Sequence, residues 1–264
     1  KREKMPLLSI VVPCFNEEEI LKNSINELLN VLNDLSNKNK IDKNSYLYLV
    51  DDGSTDQTWD IITEAHNKTP NIKALKFIKN YGMQQALLAG YENSNILGCD
   101  CVISIDADLQ QDITSIEKFI DKYISDDSID IILGIRKDRK NDTFLKKITA
   151  NIFYILAKSL GLNIIKNHAD YRLITKKTLE ILNLYKNNSF FFRTFFIDIG
   201  LKYSCLYFDV EKSKRKSKFS IPKMLYLALN SLTLLNTKIL RILLVFGFFI
   251  FILGLFLNLL LIIL

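Results

Sequence analysis

The chain has 264 residues, of which 48% are hydrophobic and 24% charged, so it can bury a core and is not a disordered protein. Its formal net charge of +6 favours anionic partners, among them phosphorylated substrates, anionic lipid and nucleic acid. The cysteines (Cys14, Cys99, Cys101 and Cys205) lack the spacing of a zinc site, and we interpret them as reduced core residues.

The first half of the chain alternates apolar runs with segments of helical periodicity. Strands are predicted at 7–13, 46–50, 73–78, 101–105 and 129–135, with helices between them. This alternation of continuous apolar strands with helices indicates an open, mostly parallel α/β sheet. Such sheets bind ligands at the carboxyl ends of their strands. The motifs DDGSTD, after the second strand, and DADLQ, after the fourth, are therefore predicted to lie at one ligand-binding edge.

Acidic residues dominate that edge. Asp106 and Asp108 follow the fourth strand, where an extended backbone points both carboxylates to one side, and a divalent cation such as Mg²⁺ or Mn²⁺ would offset their repulsion. Asp51 and Asp52 follow the second strand, so we interpret the two turns as a nucleotide-diphosphate pocket. The glycine-rich P-loop and dinucleotide motifs are missing from the sequence. It also shows no interleaved basic and aromatic groove, which argues against nucleic acid as the partner.

The second half predicts contact with a membrane. Residues 143–165 predict an amphipathic helix that lies either on the sheet or on a membrane surface. A basic run at 212–218 is either a solvated loop or a site for anionic headgroups. The uncharged run 242–264 predicts a transmembrane helix, and the cations just before it predict a cytoplasmic catalytic domain. The expected organisation is a catalytic domain at 1–211, a juxtamembrane segment at 212–241 and a span at 242–264, in a bacterial inner membrane. Because the sequence ends inside the apolar run, we expect the natural chain to be longer.

An ordered set of motifs carries a resemblance to a known family: SIVVPCFNEEE, LVDDGSTDQT, KNYGMQQALLAGYE, ISIDADLQ, DYRLI and SKFSIPKML. The chain resembles family 2 glycosyltransferases, in particular the polyprenyl-phosphate glycosyltransferases (dolichyl-phosphate mannose synthase and bactoprenyl-phosphate glucosyltransferase types). The resemblance implies a GT-A fold and the inverting, metal-dependent transfer of a hexose from a UDP- or GDP-sugar. The implied acceptor is undecaprenyl or dolichyl phosphate in a lipid bilayer, and self-association is left open.

The resemblance also assigns roles to individual residues. The implied nucleotide-sugar site consists of Pro13, Phe15, Asn16, Glu17, Asp51, Asp52 and Asp106. The implied metal site consists of Asp106, Asp108 and Gln110. The resemblance implies catalytic roles for Asp108, Asp170 and Arg172, and it implies that the lipid phosphate binds Ser217, Lys218 and Lys223. Independently of the resemblance, Arg136 and Arg139 follow the last predicted strand and offer guanidinium groups suited to phosphate. We therefore add Arg136 to the expected catalytic set and Arg139 to the expected lipid-phosphate contacts.

The sequence departs from the family pattern at two places: Lys214-Arg215 replaces a small pair, and Asp112-Ile113 replaces prolines. A lipid phosphate is already anionic, so we interpret Asp170 as orienting Arg172 or the sugar rather than as an obligatory base. His168 is interpreted as a polar loop residue.

Alternative functions are a non-processive transferase that acts on a sugar hydroxyl and an inactive nucleotide-sugar-binding scaffold. A processive polysaccharide synthase is disfavoured, because Trp59 is the only tryptophan and the expected Gln-x-x-Arg-Trp element is missing.

Overall fold

The computed structural model describes residues 5–137, 158, 163–185, 192–210 and 237–263. The strands are β1 (Leu8–Cys14), β2 (Tyr46–Asp51), β3 (Ile72–Lys76), β4 (Cys101–Ser104), β5 (Ile131–Arg136), β6 (His168–Thr175) and β7 (Tyr203–Phe208). The helices are α1 (Leu21–Asn37), α2 (Thr58–Lys68), α3 (Met83–Ile96), α4 (Ser115–Ser125), α5 (Lys176–Leu184), α6 (Phe192–Asp198) and α7 (Thr237–Ile263).

The strands form a seven-stranded sheet in the order β3-β2-β1-β4-β6-β5-β7. Most neighbouring strands run parallel, whereas β6 is antiparallel to both β4 and β5. The prediction of an α/β fold with a mostly parallel sheet is confirmed. All the strands predicted from apolar runs are present, with ends that differ by one or two residues.

Both faces of the sheet are covered, which is why its strands are continuously apolar. Alternate residues of β1 belong to different clusters: Ile10 and Val12 pack with α1 and α4, and Val11 packs with α3. The buried face of α1 consists of Leu21, Ser24, Ile25, Leu28, Leu32 and Leu35, as helical periodicity predicted for its apolar members. Each such leucine or isoleucine contributes about 1.5–3 kcal/mol of transfer free energy.

Gly90 allows helix α3 to pack directly against β1. A Cβ atom at this position would lie 2.3 Å from Cγ1 of Val11, so a larger residue would push the helix away from β1. The close packing fixes the first turn of α3 near the carboxyl ends of β1 and β2. That turn contributes to the site described below.

Strand β6 was not predicted from the sequence. It is buried along its whole length although it contains His168, Asp170 and Arg172. The interpretation of His168 as a polar loop residue is therefore wrong. Burial of the imidazole lowers the pKa of His168 to about 3, so this side chain is neutral at physiological pH.

The chain divides into two compact units, with boundaries at 142/143, 164/165 and 214/215. The first unit contains the sheet. The second contains α7, a helix of 27 residues whose side chains are described from 244 to 260. Across the described residues, no helix meets both the length and the hydropathy that a membrane span requires. The structure therefore does not support the predicted transmembrane helix. The helix predicted at 143–165 lies almost entirely outside the described residues.

Candidate active site

The loops after β1 and β2 are joined by hydrogen bonds at the carboxyl edge of the sheet. Asn16 has a left-handed φ of 52°, its N–H donates to Ser54 Oγ (3.0 Å), and its Oδ1 accepts from the Thr55 N–H (2.9 Å). The N–H of Glu17 donates to Thr58 Oγ1 (2.8 Å). The predicted nucleotide-binding residues Asn16 and Glu17 thus belong to two loops that are held together by hydrogen bonds. Pro13, the penultimate residue of β1, is half-buried.

Asp52 fixes the loop that leads into α3. Its carboxylate accepts hydrogen bonds from the N–H of Tyr81 (2.7 Å), the N–H of Gly82 (2.9 Å) and the side chain of Asn80 (3.0 Å). Burial raises the pKa of Asp52, against the lowering effect of the two N–H groups. Because these groups use both oxygens, the geometry gives Asp52 a structural role at the start of α3.

A cavity of about 420 Å³ opens beside this loop. It is lined by Phe15, Gly53, Ser54, Thr55, Lys76, Phe77, Ile78, Lys79 and Asn80. Among the residues predicted to bind the nucleotide sugar, Phe15 lines it, while Asp51 is buried beneath. The Ser54 N–H donates to Oδ1 of Asp51 (3.1 Å), and Oδ2 of Asp51 has no hydrogen-bond partner in the described part of the chain. The volume suits a nucleobase or a similar small group.

Asp106 and Asp108 follow β4 directly. Asp106 is half-buried, whereas Asp108 is exposed and accepts hydrogen bonds from Nε2 of Gln110 (2.7 Å) and the Gln110 N–H (3.2 Å). Burial raises the pKa of Asp106 to about 6, and the negative charges of Asp170 and Asp108 add to this effect. Arg136, at the end of β5, lowers the pKa of Asp106 in opposition. The structure therefore brings Asp106, Asp108, Asp170 and Arg136 into one electrostatic cluster.

Asp170 is the central, buried carboxylate of an ionic triad with Arg172 and Arg193. One of its oxygens accepts a hydrogen bond from Arg172, which is fully buried, and the other accepts from Nη2 of Arg193 at 2.9 Å. Burial alone would raise the pKa of Asp170, but Arg193 and Arg172 outweigh it and hold the pKa well below its usual range. The guanidinium of Arg172 also lies over the rings of Phe192 and Phe196.

Sequence reasoning missed three residues of this region. Arg193 is the lone charge in the run FFFRTFF, a signal that could have identified it. Gln111 is buried and donates its amide to Asp106. Asp112, one of the departures from the family pattern, accepts hydrogen bonds from the Thr114 N–H (3.0 Å) and Ser115 Oγ (2.9 Å), so it organises the turn into α4.

Several predicted residues cannot be placed. Arg139, Ser217, Lys218 and Lys223, the expected lipid-phosphate contacts, lie outside the described residues, as does the basic run 212–218. Their roles stay predictions.

The family follows from a comparison with known proteins. The family described as "Glycosyl transferase family 2" matches residues 9–199, which include β1 from its second residue, β2 to β6 and the whole cluster around Asp106 and Asp170. The chain belongs to this family. It is a glycosyltransferase, and the resemblance seen in the sequence is confirmed.

Individual proteins similar to this family 2 glycosyltransferase support the same family. "Uncharacterized glycosyltransferase YkoT" of Bacillus subtilis is 40% identical, over 96% of this chain and 74% of that protein. The "Bactoprenol glucosyl transferase" of Shigella phage SfX is 31% identical, over 92% of this chain and 77% of that protein. The mannosyltransferase PcManGT of Pyrobaculum calidifontis, solved with GDP-Man and Mn²⁺, has a TM-score of 0.54 at 13% identity, over 81% of this chain and 59% of that chain. This structural likeness supports a GT-A-like fold.

The acidic pair of this glycosyltransferase has the chemistry of a site for a divalent cation. Among the described residues, no group of three or more His, Cys, Asp or Glu side chains is arranged to hold a metal ion. Asp106 and Asp108 nevertheless offer hard oxygen donors. Burial and the charges of Asp170 and Asp108 raise the pKa of Asp106, and a bound cation would oppose both effects. Magnesium commonly binds through one or two carboxylates and completes its shell with phosphate oxygens and water. The residues present therefore fit such an ion when a nucleotide substrate is bound.

Proposed function

We propose that this glycosyltransferase transfers a hexose from a UDP- or GDP-linked sugar to a polyprenyl phosphate, with inversion at the sugar. The observation that carries the proposal is the cluster in which the acidic pair Asp106 and Asp108 interacts with Asp170, the carboxylate of the Asp170–Arg172–Arg193 triad. An acidic pair suits a metal-bound diphosphate, and clustered arginines suit a second phosphate. Similarity to bactoprenol glucosyl transferases supports a lipid phosphate as the acceptor.

The donor would bind across the carboxyl edge of the sheet. The nucleobase would occupy the cavity beside Phe15. Asn16 and Asp51 would support it through their hydrogen bonds to the lining residues Ser54 and Thr55. We keep Pro13 and Glu17 as proposed donor contacts near this cavity. Asp52 contributes by holding the loop 80–82 against this cavity. From there the diphosphate would extend towards Asp106 and Asp108.

A Mg²⁺ or Mn²⁺ ion held by Asp106, Asp108 and Gln110 would supply positive charge to the departing nucleoside diphosphate. Arg136 adds a fixed cation beside Asp106. In an inverting displacement, an acceptor oxygen forms a bond to the anomeric carbon while the bond from this carbon to the diphosphate oxygen breaks. The leaving diphosphate carries the electron pair, and preorganised cations stabilise its growing charge.

The state of Asp170 favours a phosphate acceptor over a hydroxyl acceptor. Its pKa is held well below the usual range by Arg193 and Arg172 despite burial, so it is ionised at neutral pH and is a weak base. A sugar hydroxyl must lose a proton to become a nucleophile, whereas a phosphate monoester is largely dianionic at neutral pH. We therefore assign Asp170 the role of orienting Arg172 and Arg193, and we expect the half-exposed Arg193 to contact the acceptor phosphate.

We further propose that transfer takes place at the cytoplasmic face of a bacterial inner membrane. The described side chains of α7 are almost entirely apolar and exposed, including Phe246, Phe249 and Phe251, and lipid is the solvent that such a surface favours. Lys218 and the rest of the basic run would add contacts to anionic headgroups.

The test is to incubate the full-length protein with UDP- and GDP-sugars and with undecaprenyl or dolichyl phosphate in vesicles, followed by mass spectrometry of the lipid fraction. We expect a lipid-phosphate-linked hexose whose formation requires Mg²⁺ or Mn²⁺ and is abolished in Asp108→Asn. A product formed only on sugar-hydroxyl acceptors would contradict the proposal. Donor binding without turnover would instead indicate an inactive scaffold.

A further inference from the structure

Arg193, one of the two arginines that contact Asp170, lies on α6, a helix of seven described residues. A helix this short is unstable alone, so tertiary contacts must determine its position. Phe192 and Phe196 anchor one face: their ring centroids lie 5.5 and 6.4 Å from that of Tyr91 of α3. The guanidinium of Arg172 lies 5.7 and 5.1 Å from the same two rings. Helix α6 therefore contacts the Asp170–Arg172 pair through both its aromatic face and Arg193.

The side chain of Gln84, on α3, caps the first described residue of α6. The backbone N–H of Phe192 donates to Oε1 of Gln84 at 3.2 Å. N–H groups in the first turn of a helix have no carbonyl partner within that helix. The amide oxygen of Gln84 therefore provides a hydrogen-bond acceptor that α6 itself lacks. Gln84 is itself held in place, because it lies two residues after Gly82, whose N–H binds the buried carboxylate of Asp52 at 2.9 Å. Gln84 is thus connected, through Gly82 and Asp52, to the end of β2 in the sheet.

We propose that Gln84 is a positioning residue for sugar transfer: by capping α6, it keeps Arg193 on Asp170. Arg193 directly follows the capped residue, so a displacement of Phe192 moves the guanidinium that contacts Asp170 Oδ2 at 2.9 Å. Gln84 acts only through α6 and needs no contact with substrate. The inference rests on the proposed function, in which Asp170 and Arg193 form the acceptor side of the site.

The test compares three variants of the full-length protein. Gln84→Met keeps the length and helix propensity of the side chain but removes the acceptor, and Gln84→Glu restores an acceptor, with a charge that suits a helix N-terminus. Gln85→Met is the matched control, because Gln85 is the exposed neighbour on the same helix. For Gln84→Met we expect a kcat about 5- to 10-fold lower, the value of one hydrogen bond, with an unchanged KM for the nucleotide sugar. Amide hydrogen exchange over 192–198 should be faster. Gln84→Glu and Gln85→Met should resemble the wild type in all three measurements.

The outcomes separate this inference from the proposed function. A wild-type protein that transfers no sugar to any phosphorylated lipid overturns the proposed function, and the inference with it. An active wild type together with wild-type kcat in Gln84→Met overturns the inference alone. So does a loss of kcat that Gln84→Glu fails to restore or that Gln85→Met shares, because either result reduces Gln84 to a general contribution to stability.

Discussion

Asp170 and Arg172 alternate with apolar residues in a strand that is buried throughout. Removing two charges from water is costly, and a buried pair offsets that cost only when its geometry and hydrogen bonds are good. Here Arg193 supplies a second cation and the two phenylalanine rings cover the other face of Arg172. Such an arrangement favours a defined site geometry more clearly than it favours stability.

Removing the carboxylate should cost more stability than removing the outer cation. Asp170→Asn leaves the fully buried Arg172 uncompensated, and we expect a loss of about 3–5 kcal/mol in the free energy of unfolding. Arg193→Gln breaks a contact of a side chain that is 36% exposed, so its cost should stay near or below ~1 kcal/mol. Urea denaturation at pH 7 measures both values. Lys68→Gln is the control, since it breaks a surface pair to Glu64, and a loss equal to that of Asp170→Asn would contradict the argument.

Asp106 should destabilise the metal-free protein at neutral pH. Its pKa is raised to about 6 by burial and by Asp170 and Asp108, so the folded state binds a proton more tightly than the unfolded state. Stability from this group is therefore present below the usual aspartate pKa and is lost as the pH rises towards 6. In EDTA, Asp106→Asn should be more stable than the wild type by about 1–2 kcal/mol at pH 7, with little difference at pH 4.

The control for Asp106→Asn is Asp108→Asn, in the same motif but at an exposed position, where we expect a smaller change in stability. Urea unfolding at the two pH values measures the effect. Both variants should lose transferase activity. If Asp106→Asn were less stable than the wild type at pH 7, the carboxylate would have a partner that the structure does not show.

At the scale of elements, the parallel strands could be predicted because their apolar runs stand out, and the acidic motifs could be placed because they follow those strands. Strand β6 could not be predicted, because its charged residues suggest an exposed segment. They are stable in a buried strand only because residues distant in the sequence pair with them. One of these partners, Arg193, lies 23 residues from Asp170 along the chain. The structural role of Asp52 could not be predicted for the same reason. The N–H groups that donate to its carboxylate belong to Tyr81 and Gly82, which directly precede α3.

Gly53 joins two of these elements and should tolerate no side chain. Its φ is +68°, and a Cβ atom would lie 2.3 Å from the carbonyl carbon of Lys79 in the loop that Asp52 holds. Gly53→Ala should therefore carry both the backbone cost, about 1–2 kcal/mol, and the cost of moving this loop. Since Lys79 and Asn80 line the cavity, affinity for the free nucleoside diphosphate should also fall. Urea denaturation and calorimetric titration with UDP and GDP test the two effects.

Gly98→Ala provides the matched comparison. Gly98 has a similar φ of +78°, but nothing lies within 4 Å of a Cβ atom there, so only the backbone cost applies. Equal losses of stability in the two variants, with unchanged nucleotide affinity, would show that the loop adapts freely and that Gly53 has no role beyond its conformation.

At the scale of the whole molecule, the candidate donor-binding residues and the exposed apolar helix belong to different units of the described chain. The cavity residues and the Asp106–Asp170 cluster belong to the first unit, and α7 belongs to the second. From composition, the sequence predicts a separate C-terminal segment, because the charged motifs and the uncharged run do not overlap. The predicted boundaries stay predictions, as do the positions of the expected lipid-phosphate residues, which lie outside the described residues.

A variant that ends at Lys238 should therefore keep donor binding and lose access to membrane-bound acceptor. Its affinity for UDP or GDP should match that of the full chain, because every cavity residue is retained. Transfer to undecaprenyl phosphate in vesicles should fall by at least about tenfold, whereas transfer to a short-chain, water-soluble polyprenyl phosphate should persist. Calorimetry, flotation with vesicles and kcat/KM on the two acceptors measure these effects.

The decisive control replaces residues 239–264 with an unrelated polyleucine helix. Recovery of activity in vesicles would indicate that α7 acts only as a membrane anchor. Failure to recover would indicate that the side chains of α7 help to bind the acceptor. Equal rates on the vesicle-bound acceptor for the truncated and full-length proteins would contradict the prediction that α7 is needed for access to membrane-bound acceptor.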